Sequence, residues 1–173
     1  MEGGLITSWE HPNHEYYADT LVINNDKVFI ADPPNSRITT YSLDGQVLDH
    51  IPCPLLTNSS YVTMCSPDNS SLILSSCRHF KVFKIDINTH VVLWTLTEVK
   101  DPLGMVSYGE YVLLAAFNSK TICIINSTTG NIVSQVAHDD IAGGSKPSLD
   151  VSGSTLLIPK YSSDEVIFYK MNC

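Results

Sequence analysis

The histidines, cysteines and carboxylates are the residues of this chain that could do chemistry, and metal-dependent hydrolase or lyase chemistry is the first type they suggest. A metal site needs several histidines or carboxylates that converge on one ion. Three histidines lie in predicted loops between repeats and two aspartates follow the last of them, so these side chains could face one another: His11, His14, His138, Asp139 and Asp140. Six histidines in 173 residues readily produce such a coincidence. A metal-dependent hydrolase or lyase is therefore the alternative function, and the favoured interpretation has no metal ligand and no cofactor.

Cys77 is the cysteine with the most reactive surroundings, because Arg78 and His79 follow it directly. Neighbouring cationic groups lower the pKa of a thiol and favour the nucleophilic thiolate. No third group that would orient a base is visible, and the chain has no Gly-x-Ser-x-Gly motif. The segment GGSK at 143–146 lacks the upstream glycine spacing of a phosphate-binding loop. The sequence therefore predicts no catalytic residue and a protein that is not an enzyme.

Cationic and aromatic residues recur in the loops predicted between the second and third strands of each repeat. Such a combination suits the binding of a peptide or of single-stranded RNA, because cations meet negative charge and aromatic rings offer stacking surfaces. These loops and the links between repeats lie at one end of the predicted molecule, the loop-rich face. Carboxylates on the same face cancel much of the positive charge. The predicted binding residues are Arg37, Arg78, His79, Phe117, Lys120, Lys160 and Tyr161.

A four-strand unit positions these loops, and it is clearest between Leu21 and Ile51. Two apolar runs are joined by the turn Asn25-Asp26, since Asn and Asp tolerate left-handed backbone. Two prolines then stop the second strand, and Asp44-Gly45 is a strong hairpin signal between the third and fourth strands. Asp32 and Arg37 flank the proline loop, so we expect the two side chains to pair and to fix its shape. Four strands in a meander form one blade of a β-propeller.

The unit recurs along the whole chain. Its second strand begins near Val28, Leu72, Val112 and Leu156, so the repeat is about 40 to 44 residues long, within the range of propeller blades. The sequence predicts an all-β protein with a single domain over 1–173, a β-propeller or partial propeller of about four blades. Each blade is a four-stranded antiparallel meander, at roughly 18–51, 60–96, 104–136 and 148–173. Residues 4–9 are the candidate strand that closes the last blade.

Residues 28–48 resemble an NHL repeat, in which an Ala-Asp pair precedes a polar loop, an apolar strand, an Asp-Gly turn and a second apolar strand. The residues that carry the resemblance are Ala31, Asp32, Asn35, Arg37, Ile38, Tyr41, Asp44, Gly45 and Val47. The resemblance implies a propeller, commonly with six blades. It also implies recognition of other proteins, because NHL propellers often follow a ubiquitin-ligase module and supply its substrate recognition. Some members of this family bind RNA.

Composition limits the classes of partner and the compartment. The net charge of −8 and the pI near 5.0 repel phosphate backbones, which disfavours RNA. No apolar run is long enough to span a membrane, and the first residues lack the pattern of a signal peptide. Five cysteines without a Cys-x-x-Cys spacing indicate reduced thiols and a cytoplasmic protein.

The sequence as a whole favours a non-enzymatic module that binds another protein or peptide through the loop-rich propeller face. An RNA-binding NHL propeller is a further alternative. Two forms of the ring stay open. One is a small closed ring, and the other is part of a larger ring whose apolar faces a partner or a second copy would cover, which would make a homodimer.

Overall fold

The computed structural model describes residues 8–9, 20–57, 59, 61–116, 119–137, 150–159 and 166–171. In this part the chain forms four antiparallel sheets, each a meander of strands that follow one another in sequence. The first sheet contains β1 (Leu21–Asn24), β2 (Lys27–Asp32), β3 (Arg37–Ser42) and β4 (Val47–Pro52). The second contains β5 (Val62–Asp68), β6 (Ser71–Ser76), β7 (Lys81–Asp86) and β8 (Val92–Leu96).

The third sheet repeats this order, and the fourth shows three described strands. The third contains β9 (Pro102–Tyr108), β10 (Tyr111–Ala116), β11 (Thr121–Asn126) and β12 (Ile132–Ala137). The fourth contains β13 (Asp150–Ser152), β14 (Thr155–Pro159) and β15 (Val166–Lys170). Short 3₁₀ turns at Pro33–Asn35 and Pro54–Leu56 lie outside the strands. The innermost strands β1, β5, β9 and β13 contact one another in this order, so the sheets follow each other around a common axis.

The core lies between successive sheets and explains the continuous apolar runs of the second strands. Leu72 and Leu74 of β6 pack toward the first sheet, whereas Ile73 between them packs toward the third. All three side chains are fully buried. Because alternate residues of a strand point to opposite faces, a strand between two neighbours needs apolar residues at every position.

Two predicted boundaries differ from the structure. The segment PDNS at 67–70 predicts a turn from its residue types, but Pro67 and Asp68 belong to β5, and the pairing with β6 shifts register between Cys65 and Asp68. A proline cannot donate to a ladder, and it is accommodated at such an irregularity. The segment FKVFKI at 80–85 predicts a third strand that begins at Phe80, but β7 begins at Lys81. Phe80 instead ends the preceding loop.

A recurrent contact joins the outer strands β4 and β8 to a turn of the next sheet, and we call it the junction contact. Trp94 of β8 covers Gly130 in the β11–β12 turn so closely that a Cβ on Gly130 would lie 2.6 Å from Trp94 Cδ2. Gly130 has a φ of +76°, which a glycine adopts without strain. At the equivalent place between the first two sheets, the Asp49 carboxylate meets His90 Nε2 at 3.1 Å.

Trp9 covers Gly45 in the same way, and each tryptophan precedes its glycine by 36 residues. A Cβ on Gly45 would lie 2.5 Å from Trp9 Cγ, and the Trp9 ring lies 4.8 Å from that of Tyr41. Trp94 lies on the outer strand of its sheet, so the equal spacing agrees with an outer strand at 4–9 that would place Trp9 in the same position. That strand stays a prediction, because residues 4–7 lie outside the described part.

Candidate binding surface on the loop-rich face

The antiparallel order of the strands separates tight turns from longer loops. The hairpin turns within each sheet lie at one end of the molecule. The loops that join second to third strands and the links between sheets lie at the other end, which we call the loop-rich face. Arg37, Arg78, His79 and Lys120 all belong to this face, in or beside equivalent loops of three successive sheets. The predicted binding residues Phe117, Lys160 and Tyr161 lie outside the described residues.

The first loop is organised around Asp32, whose side chain is almost completely buried. Asn35 Nδ2 donates to both carboxylate oxygens, at 3.0 and 2.9 Å, and Arg37 Nε donates to Oδ2 at 2.9 Å. This confirms the predicted pairing of Asp32 with Arg37. The guanidinium of Arg37 therefore fixes the loop, and these three residues are among those that carry the resemblance to an NHL repeat.

Replacing Asp32 with asparagine is expected to lower the free energy of unfolding by about 2 kcal/mol, because a neutral amide cannot accept all three bonds and the carboxylate makes each of them charge-assisted. Urea denaturation measures this change. The control is Asp26→Asn, which removes the same charge from an exposed turn where asparagine tolerates the positive φ. Equal losses in the two variants would contradict a specific role for Asp32.

The link between the first two sheets is fastened to both of them. Ser36 Oγ bonds Thr57 Oγ1 at 2.8 Å, and Cys53 N donates to Ser36 O at 2.7 Å. On the other side, His79 Nε2 lies 2.9 Å from the Thr57 carbonyl, and since a carbonyl only accepts, the imidazole donates there. The predicted binding residue His79 therefore holds the backbone of this face in place.

Cys77 does not have the environment that its cationic neighbours suggested. Its thiol donates to Asp101 Oδ1 at 3.6 Å. Burial and the negative charge of Asp101 raise the pKa of Cys77 above its ordinary value. The expectation of a lowered pKa was wrong, because the side chain turns toward a carboxylate of the next link. Cys77 is thus protonated at neutral pH and is a poor nucleophile.

Two exposed aromatic residues flank Cys77, and the sequence interpretation missed both. Tyr61 is 52% exposed with a φ of +57°, and Phe80 is 47% exposed with a φ of +51°. Their backbones meet at Cys77, whose N–H donates to Tyr61 O at 3.4 Å and whose carbonyl accepts from Phe80 N at 3.2 Å. Bulky side chains rarely adopt left-handed backbone, so both positions are strained.

The position of Phe80 is a regular feature of the repeat. Ser36 and Lys120 occupy the same place before the third strands of the first and third sheets, with φ values of +54° and +52°. Polar residues are ordinary at the end of such a loop, and an exposed phenylalanine is not. Alignment of the repeats in the register seen here is the signal that could have singled out Phe80.

The residues weighed for a metal-dependent enzyme, His11, His14, His138, Asp139 and Asp140, lie outside the described part. Within the described ranges, no three His, Cys, Asp or Glu side chains group in a way that could hold a metal ion. No helix among the residues that the structure describes has the length and apolar character needed to cross a membrane.

The sequence matches no family model and no curated protein. Solved structures nevertheless match the fold closely. The computationally designed Ika4 protein superposes with a TM-score of 0.68 at 15% identity, over 99% of this chain and 100% of that chain. A streptogramin B lyase gives 0.69 at 16% identity, over 96% of this chain and 59% of the other. Virginiamycin B lyase from Staphylococcus aureus gives 0.62 at 15% identity, over 88% and 55%.

These neighbours are β-propeller-like and built from similar four-stranded sheets, so the all-β propeller predicted from the sequence is confirmed as the fold. The chain spans the whole of the designed protein and somewhat more than half of each lyase. At these identities the likeness concerns the fold alone.

Proposed function

We propose that this chain is a non-enzymatic, NHL-like propeller module that binds another protein or peptide through its loop-rich face. The observation that carries the proposal is the pair of exposed aromatic residues, Tyr61 and Phe80, held in left-handed backbone on either side of Cys77. Strained backbone concentrates at functional sites, where the surrounding structure maintains it. Aromatic and arginine side chains also supply most of the energy at protein interfaces, and Arg78 directly follows Cys77 in the loop that ends at Phe80.

The rigidity of this face supports the same proposal. His79 and Ser36 fasten the link at Thr57, and the Cys77 thiol is bonded to Asp101. A surface that is already ordered loses less conformational entropy when a partner binds. The hydrogen-bonded loop of Asp32, Asn35 and Arg37 supports the NHL-like assignment, because it uses residues of the resembling motif.

The cysteines bear on the compartment of the protein, and its net charge bears on the class of partner. Cys53, Cys65 and Cys123 are buried free thiols, and reduced cysteines suit a cytoplasmic location. The net charge of −8 favours a protein or peptide over RNA as the partner. Binding of a nucleic acid at this face would instead weaken steeply with added salt.

Replacing Phe80 with glycine is expected to weaken peptide binding at least tenfold and to change the free energy of unfolding by less than about 1 kcal/mol. Glycine relieves the left-handed strain, which offsets the lost contacts and the greater freedom of the unfolded chain. The binding probe is a peptide selected from a random displayed library on the wild-type protein, with Kd measured by fluorescence anisotropy.

Leu43→Ala is the matched control, because Leu43 is also 47% exposed but belongs to a hairpin turn at the opposite end. We expect its Kd to stay within twofold of the wild type. A selected peptide whose affinity survives both Phe80→Gly and Tyr61→Gly would place the interface elsewhere and would contradict the proposal.

A further inference from the structure

The junction between the third and fourth sheets differs from the others. Three residues occupy equivalent positions in the outer strands: Ser134 of β12, Trp94 of β8 and Asp49 of β4. Each pairs with the last third-strand residue before the register shift of its sheet. Trp94 and Asp49 reach the turn of the next sheet, whereas Ser134 is too short to do so. Among the described residues, no tryptophan or ion pair fills the space beside Ser134.

A cleft of about 650 Å³ occupies this space. Its walls come from both sheets and are largely apolar and aromatic, and they include Tyr108, Tyr111, Leu113, Leu156, Tyr169 and Met171. Glu110 and Lys170 also line the cleft, both at the end of the molecule where the hairpin turns lie. The volume is within the range of small-molecule pockets, about 300 to 1,000 Å³.

We propose that this cleft is a binding site for a small, flat heteroaromatic molecule of about the size of an indole. The size follows from the repeat, because the equivalent space at the second junction is filled by the indole of Trp94 and Trp9 covers Gly45 in the same manner. Side chains of two sheets would sandwich the ring, an arrangement that aromatic surfaces favour. Glu110 and Lys170 would meet a polar or charged substituent at the open end. This site is independent of the loop-rich face.

Titration with indole itself, followed by ligand-observed NMR, tests the inference. A ligand of this size is expected to bind with a Kd on the order of 0.1 to 1 mM. Ser134→Trp restores a tryptophan at the junction, so it should weaken indole binding at least tenfold and raise Tm by a few degrees. Asn88→Trp is the control, since it adds a tryptophan to an exposed turn of the second sheet and should bind indole as the wild type does.

A second pair of variants keeps the test decisive where Ser134→Trp does not fold. Val136 lines the cleft and is 47% exposed, while Val92 lies on the outer strand β8 and is 42% exposed. Val136→Lys should weaken indole binding at least threefold, and Val92→Lys should not. Indole binding that persists unchanged in Ser134→Trp or Val136→Lys would overturn the site. Failure of indole to bind the wild type at about 5 mM would also overturn it. If a tryptophan-containing peptide bound there instead, the cleft would be an anchor for a partner protein.

Discussion

Replacing Gly130 with alanine is expected to lower the free energy of unfolding by about 3 kcal/mol, and the same change at Gly109 is expected to cost about 1 kcal/mol. Both glycines have positive φ, +76° and +55°, so both variants strain the backbone. Only at Gly130 does the new methyl group meet an indole, since nothing lies within 4 Å of a Cβ on Gly109. Urea denaturation of the two variants isolates the contribution of the Trp94 contact.

A double-mutant cycle sharpens this result. In a Trp94→Ala background the clash disappears, and Gly130→Ala should then cost only about 1 kcal/mol, like Gly109→Ala. The difference of about 2 kcal/mol is the coupling energy between the glycine and the tryptophan. Equal costs of Gly130→Ala in both backgrounds would show that the two sheets do not meet as described.

Replacing Lys84 with alanine is expected to lower the free energy of unfolding by about 2 to 3 kcal/mol. Lys84 is only 7% exposed, and its Nζ donates to Asp68 Oδ2 at 3.0 Å and to Ser127 O of the third sheet at 3.1 Å. The Ser127 carbonyl also accepts from Trp94 Nε1 at 3.2 Å, so the amine is part of a polar contact between two sheets. Lys81→Ala on the same strand is the control and should change stability by less than about 0.5 kcal/mol.

The fall in the free energy of unfolding at acid pH gives an independent measure of the contact between Lys84 and Asp68. Burial opposes ionisation of Asp68, but hydrogen bonds from Ser71, Ser70 and the Lys84 ammonium outweigh it and hold the pKa of Asp68 well below its ordinary value. A lowered pKa in the folded state adds stability above the unfolded value near 3.8, and this stability is lost as the pH falls further. The loss below about pH 4 should therefore be shallower in Lys84→Met than in the wild type. Identical pH profiles would contradict the link between Lys84 and Asp68.

The meander of each sheet was predictable because its signals are local. Asn25-Asp26 and Asp44-Gly45 mark turns within two residues, and the apolar second strands identify themselves by composition alone. The junctions were not predictable in this way. In FKVFKI, strand alternation places Lys84 on the same face as Val82. A lysine is ordinarily exposed, and the burial of Lys84 depends on the third sheet, where its amine reaches the Ser127 carbonyl.

The candidate site shows the same limit. That Arg78 and His79 belong to the loop-rich face follows from strand order, and the pairing of Asp32 with Arg37 follows from their places around one loop. The role of Phe80 does not follow, because it depends on which residue takes the positive φ that ends the loop. The direction of Cys77 toward Asp101 depends on a contact with a link 24 residues away in sequence.

The positions of the two tryptophans make this protein's fluorescence unusually informative. The chain has two tryptophans, and each packs over a glycine of a turn beyond its own strand or segment. Indole emission changes when the ring moves from protein into water. The emission spectrum therefore follows the loss of contact between each tryptophan and the turn that it covers. Far-ultraviolet circular dichroism instead follows the hydrogen-bonded strands. Coincident unfolding curves from the two probes would mean that blades melt together as one cooperative unit, and an earlier fluorescence transition would mean that intact blades first come apart.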